Sequence, residues 1–218
     1  MLGNAGMVRE QVKLRYERMQ CRNFTSADKE LTAEEYGRMV KLAEEKGDAR
    51  LSMILQTICA LGIRVSELKA ITVESVKAGK ALIRNKRKER VILIPEKLAR
   101  ALLSYCAEKR IVSGMIFITR TGKALHRSNI WRMIKKIGTA AAVAAKKAFP
   151  HNLRHLFART YYQIHHDLGG LASILEHSSV DTTRIYIANS EERRPFVRIP
   201  LQYTLNQIVT AIMHSLQT

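Results

Sequence analysis

The sequence predicts an α+β fold, mainly helical, with a small antiparallel sheet. Two observations point there. Most of the chain repeats apolar residues at helical spacing, but between Ile71 and Pro95 the period shortens to that of strands. A third observation sets the scale: 218 residues at 46% hydrophobic and 26% charged can bury a real core in one good-sized domain.

The elements follow in chain order. Residues 1–25 are polar and mixed, an extension or linker remnant with one helix in "REQVKLRYERMQ". In "LTAEEYGRMVKLAEEKG", Thr32 and Glu35 stand at capping-box spacing, Tyr36, Met39, Val40 and Ala43 form one apolar stripe, and Gly47 ends the helix. "ARLSMILQTICALG" is apolar nearly all round and is predicted as the central helix. "ALIR" and "RVILIP" read as strands joined by an exposed, very basic turn, "NKRKE". "EKLARALLSYCAEKR" is helical, "MIFIT" reads as a short strand with "RTGK" as its turn, and "SNIWRMIKKIG" opens a helix capped by Ser128.

"PHNLRHLFARTYYQIHH" begins with proline at a helix entrance. Leu153, Leu156, Phe157 and Ile164 form its buried stripe, and His151, Arg154 and His155 share another face. "GGLASILEH" and "DTTRIYI" read as short helices. The final "YTLNQIVTAIMHSLQT" is amphipathic, with Leu205, Ile208, Val209, Ile212, Met213 and Leu216 at helical spacing.

Charge narrows the partners. Lys and Arg number 37 against 19 acids, a formal +18, which argues for a polyanion and above all nucleic acid, because neutralised phosphates release counterions. "MLGNAGMVREQVKLRY" carries charges where a signal peptide needs an apolar stretch, and "LSMILQTICALGI" is too short to span a bilayer. Cys21, Cys59 and Cys106 form no CxxC pair, and Cys59 reads as core, so a cytoplasmic location without membrane association is expected.

The candidate chemistry sits in four basic elements. Arg64 lies in "LGIRVSEL", where its plainest role is an i,i+3 ion pair with Glu67. Arg84, Lys86, Arg87, Lys88 and Arg90 make the hairpin a candidate DNA contact. His151 and Arg154 stand about one helical turn apart, and His177 precedes Tyr186 by nine residues in "LEHSSVDTTRIY". His151 and His155 have the i,i+4 spacing of a zinc helix, but Asn152 occupies the place of the glutamate in HExxH, so no metal site is expected.

Their order, Arg64, Lys86, His151, Arg154, His177 and Tyr186, resembles the tyrosine recombinase (integrase) family, whose pattern is Arg, Lys, His-x-x-Arg, His, Tyr. The resemblance covers about Leu31 to Ala188 and looks nearest to the Xer-like enzymes and the integrases of phages and conjugative elements. It implies that family's catalytic fold over residues 26–190, with 191–218 as a tail. It also implies that the oxygen of Tyr186 attacks a DNA phosphodiester, leaving a 3′-phosphotyrosyl enzyme and a 5′-hydroxyl. Arg64 and Arg154 would clamp the non-bridging oxygens, and Lys86 or Lys88 would protonate the leaving oxygen. His151 would help move the tyrosine proton, and His177 would bond the phosphate. No cofactor, metal or ATP is implied, since the bond energy stays in the protein–DNA link.

The resemblance further implies double-stranded DNA as substrate, a homotetramer on that DNA, and accessory DNA-bending proteins. The amphipathic tail helix fits docking on a neighbouring protomer or on the chain's own core. Two features depart from the family. Glu176 stands where a glycine usually precedes the second histidine, and roughly 25 residues precede the catalytic pattern, too few for the usual core-binding domain. Either the chain is shortened or a partner supplies the missing half; without that half it would grip DNA from one side, weakly and salt-sensitively. Two other classes share the scaffold: a DNA-binding protein without turnover, and a type IB topoisomerase-like relaxing enzyme.

Overall fold

The structure is a computed structural model and describes residues 29–85 and 88–175. The helix in 1–25, Lys86, Arg87, Glu176, His177, Tyr186, the "DTTRIYI" helix and the tail helix lie outside these residues.

Helix α1 (Ala33–Glu45) carries the predicted capping box: Glu35 N–H donates to Thr32 Oγ1 at 3.1 Å, and Thr32 N–H to Glu35 Oε2 at 2.9 Å. Helix α2 (Ala49–Leu61) is the centre of the molecule. From Ile54 to Leu61 every residue is buried, and the helix packs against α1 and four later elements. Its apolar circumference requires this, because no face of it belongs in water. A 3₁₀ segment (Val65–Ala70) follows, then a short helix α3 (Val73–Lys77) capped by Thr72, which the sequence reading had not anticipated.

Strands β1 (Lys80–Asn85) and β2 (Lys88–Leu93) pair antiparallel in the register Ala81↔Ile92, Ile83↔Arg90 and Asn85↔Lys88. The connection is thus shorter than the predicted "NKRKE" turn. Alternation sets the faces: Ala81, Ile83 and Ile92 are buried, whereas Leu82, Arg84, Glu89 and Val91 are exposed. β1 lies against α3 and the 3₁₀ segment.

Helix α4 (Glu96–Glu108) precedes "MIFIT", where the structure corrects the prediction. That run makes only two isolated bridges, Thr72↔Met115 and Ile118↔Ala124, and forms no named strand. Ile116 and Phe117 are buried, so the apolar signal reported burial rather than a ladder. Helix α5 (Arg127–Ala140) is capped by His126 rather than Ser128, whose hydroxyl lies 2.7 Å from the His126 Nδ1 that receives its own N–H.

Helix α6 (Pro150–His165) begins at proline as predicted and packs on α2. Helix α7 (Leu168–Leu175) returns against α6. Two side chains of α6 tie the start of the described chain to it. Asn152 donates to the Lys29 carbonyl at 2.7 Å, and Arg159 donates to the Leu31 carbonyl while pairing with Glu30 at 3.1 Å. No described helix is long and apolar enough to cross a membrane.

Candidate active site

The site is built where α2 ends. Gly62 terminates the helix in the left-handed region at φ 59°, a conformation that favours glycine because it lacks Cβ. A Cβ there would also fall within 3.0 Å of three ring atoms of Phe157, on α6. This contact lets α6 approach closely enough for Arg154 to reach across.

Arg154 is 1% exposed, the largest fully buried side chain among the described residues. Its Nη1 donates to the Gly62 carbonyl at 2.6 Å and its Nη2 to the Leu175 carbonyl at 2.5 Å, at the end of α7. These partners are neutral dipoles. They fix the plane of the fork without cancelling its charge, as an electrostatic clamp requires.

Two residues beyond Gly62, Arg64 begins the 3₁₀ segment. Its Nη1 donates to Glu67 Oε1 at 3.0 Å and its N–H to Oε2 at 2.8 Å, so the expected i,i+3 pair exists. Glu67 is 4% exposed and holds a second guanidinium, Arg90 Nη2 at 2.8 Å. Arg90, grouped above with the outward cations of the hairpin, is instead turned inward: its side chain is 10% exposed. Arg84 does face solvent, opposite Glu89, with which it pairs at 2.7 Å.

His151 sits on the first turn of α6, edge-on to His155 with ring centroids 4.5 Å apart. It keeps an exposed surface. Even so, the protein packed around the imidazole pushes its pKa below 6.5, and the Arg154 and Arg64 guanidiniums push in the same direction. The Arg154–Gly62 hydrogen bond joins α6 to the end of α2 two residues before Arg64, so the C-terminus of α2, the 3₁₀ segment and the N-terminus of α6 bring Arg64, Arg154 and His151 into one region. The neutral imidazole that results can accept a proton at pH 7.

The shift has a consequence for stability. In the unfolded chain the imidazole regains its ordinary proton affinity, so on acidification that state protonates first. Above 6.5 His151 contributes nothing, and stability is lost as pH falls below it. The melting temperature of the wild type should therefore fall more steeply from 6.5 toward about pH 5 than that of His151→Gln. Parallel slopes in scanning calorimetry would refute this.

Of the six residues in the predicted pattern, the structure places Arg64, His151 and Arg154 together. Lys86, His177 and Tyr186 lie outside the described residues, as does the side chain of Lys88. The sequence reading passed over Gly62 as a functional position and gave Glu67 only a dull role. A glycine closing a helical run just before a candidate arginine was the available signal for the first.

Comparison with known proteins gives the family of the chain. The phage integrase family matches residues 29–193. Tyrosine recombinase XerD of Staphylococcus aureus (strain Mu50) is 31% identical over 154 residues, covering 66% of this chain and 52% of XerD. The chain thus spans about half the length of the curated relatives it matches. Among solved structures, XerA recombinase superposes with a TM-score of 0.63 at 29% identity over 72% of this chain and 57% of that one. XerH bound to difH substrate, in a pre-cleavage complex, gives 0.61 at 26% identity over 72% of this chain and 49% of XerH. A lambda integrase dimer bound to a COC′ core site shares the fold, with a TM-score of 0.61 at 19% identity over 78% of this chain and 63% of that one. With a match running from Lys29 through Tyr186 to Arg193, three quarters of its length, the chain belongs to the phage integrase family, the tyrosine recombinases.

Proposed function

We propose that this chain is the catalytic domain of a site-specific DNA recombinase or integrase, acting on double-stranded DNA through a 3′-phosphotyrosyl intermediate. The observation that carries the reading is the buried Arg154 fork, held by the Gly62 and Leu175 carbonyls beside Arg64 and a neutral His151. Two guanidiniums converging on one spot suit the trigonal-bipyramidal phosphorane-like transition state of phosphoryl transfer, in which charge gathers on non-bridging oxygens. His177 follows Leu175 by two residues, a span of at most about 7 Å of chain, and Lys86 falls between the paired residues Asn85 and Lys88.

The reaction runs in two reversible halves. The phenolic oxygen of Tyr186 forms a bond to phosphorus as the P–O5′ bond breaks. The phenolic proton passes toward His151, and Lys86 (or Lys88) gives its proton to the departing 5′-oxygen. Rejoining reverses each transfer on a different 5′-hydroxyl. Residues 26–190 form the catalytic domain in this reading, and Arg84, Lys86, Arg87 and Lys88 lie along the hairpin that approaches DNA. The working assembly is a homotetramer on DNA, aided by DNA-bending proteins, in the cytoplasm.

Trapping tests the proposal. A pool of nicked random-sequence duplexes releases a short 5′-hydroxyl strand on cleavage, so the covalent adduct accumulates. The expected result is a protein–DNA adduct whose peptide map places the nucleotide on Tyr186. Binding without any adduct, or an adduct on another residue, would overturn the proposal.

A further inference from the structure

His151 stands on the first turn of α6, where a helix is held least, because its first N–H groups have no partner within it. The N-cap residue, Phe149, offers no side-chain hydrogen bond to that turn. Pro150 removes one of the unmet donors but fixes little beyond its own φ. An imidazole that has to meet a proton in flight thus stands on a weakly fastened stretch of backbone, and something beside it must hold it there.

The next residue, Asn152, supplies that hold. It is 3% exposed, and its amide nitrogen donates to two main-chain carbonyls, that of Lys147 at 2.9 Å and that of Lys29 at 2.7 Å. Its own N–H donates to the Phe149 carbonyl at 3.0 Å. Both side-chain acceptors are themselves secured. Lys147 pairs with Glu35 of the α1 cap at 2.9 Å, and Lys29 leads into Glu30 and Leu31, which Arg159 binds. Two acceptors meeting at one side chain call for an NH₂ group. An aspartate of the same shape would turn an oxygen toward them, and an apolar residue would leave both carbonyls without this donor. The asparagine that denies the helix a zinc motif therefore has a task of its own.

We infer that Asn152 is a positioning residue for the reaction: by joining the first turn of α6 to the Lys147 and Lys29 carbonyls, it sets where the His151 imidazole stands to receive the phenolic proton. This rests on the recombinase reading above. Asn152 meets no reacting atom and acts through the backbone it shares with His151. The Arg154 guanidinium, two residues on, has its own holds in the Gly62 and Leu175 carbonyls.

The experiment measures single-turnover cleavage, at saturating DNA, of a duplex recovered from the trapping pool. Four proteins are compared: wild type, Asn152→Ala, His151→Gln and the double variant. Asn152→Ala should cleave ~10–100-fold more slowly than wild type, the loss that a catalytic group about 1 Å out of place brings. In the His151→Gln background the same change should cost no more than ~3-fold, because the side chain it places is already gone. Equal losses in the two backgrounds would mean that Asn152 supports the fold at large. A wild-type rate for Asn152→Ala would mean that it places nothing. Either result overturns the inference.

Asn152→Ser keeps one donor for the two carbonyls, and it takes the place of Asn152→Ala if that protein melts below the assay temperature. It should lose ~3–10-fold beside an intact His151 and less than ~2-fold in the His151→Gln background, and the same two results would overturn the inference. Failure of the wild type itself to form an adduct would instead strike the recombinase reading, so the two failures are distinguishable.

Discussion

Arg154→Ala should abolish detectable strand cleavage and also weaken the fold. In the proposed reaction this guanidinium is one of two that meet the charge developing on the phosphate, and removing a single preorganised donor from such a site typically costs about 10²–10³ in rate. A fork supplies more than one donor, so a loss of ~10³-fold or more is expected. The structural loss is separate. The Gly62 and Leu175 carbonyls would lose their donor in a place closed to water, at about 1–3 kcal/mol each. Arg154→Lys separates the two effects. An ammonium keeps the charge and can satisfy one carbonyl, so the melting temperature should recover in part. Cleavage should remain down ~100-fold, because a point charge cannot reproduce a planar fork. Thermal melts beside single-turnover trapping read both, and near-normal cleavage by Arg154→Lys would contradict the role given to the fork.

Gly62→Ala should be the most damaging change of a single methyl group. The residue sits at φ 59°, where a Cβ costs roughly 1–2 kcal/mol. The added carbon would also press on Phe157, which is fully buried and has nowhere to retreat. Overpacking of this kind costs about 1–3 kcal/mol, so a total of about 2–5 kcal/mol is expected. For a domain of this size that lowers the melting temperature by on the order of 5–15 °C. The functional consequence follows from the same geometry: relief of the contact moves α6 or the Gly62 carbonyl, and both ends of the Arg154 hydrogen bond shift. Variants that remain folded at low temperature should therefore still cleave poorly. A Gly62→Ala protein with wild-type melting and cleavage would show that neither the left-handed turn nor the Phe157 contact matters.

Much of this arrangement was legible in the sequence, for reasons that differ from residue to residue. The centrality of α2 could be read because an all-round apolar helix has one stable location. The α1 cap was legible because its two partners are local, three residues apart. The inward turn of Arg90 was equally accessible, since it has the parity of Ile92 on a strand, but a dense cluster of cations invited a single outward reading. Other features depend on contacts that spacing does not encode. Whether "MIFIT" pairs as a strand turned on whether a continuous partner lay beside it, and it met only short stretches around Thr72 and Ala124. The cap of α5 turned on a competition between the side chains of Ser128 and His126. The meeting of Gly62 with Phe157 joins distant parts of the chain and emerges only when α6 is laid on α2.

The fastening of Lys29, Glu30 and Leu31 to Asn152 and Arg159 places an anchorage on the same helix that presents His151 and Arg154. Asn152 is the immediate neighbour of His151, so tension arriving through the backbone at Lys29 is delivered within one residue of the imidazole. The start of the described chain is thereby fastened to the helix that carries two of the proposed catalytic side chains.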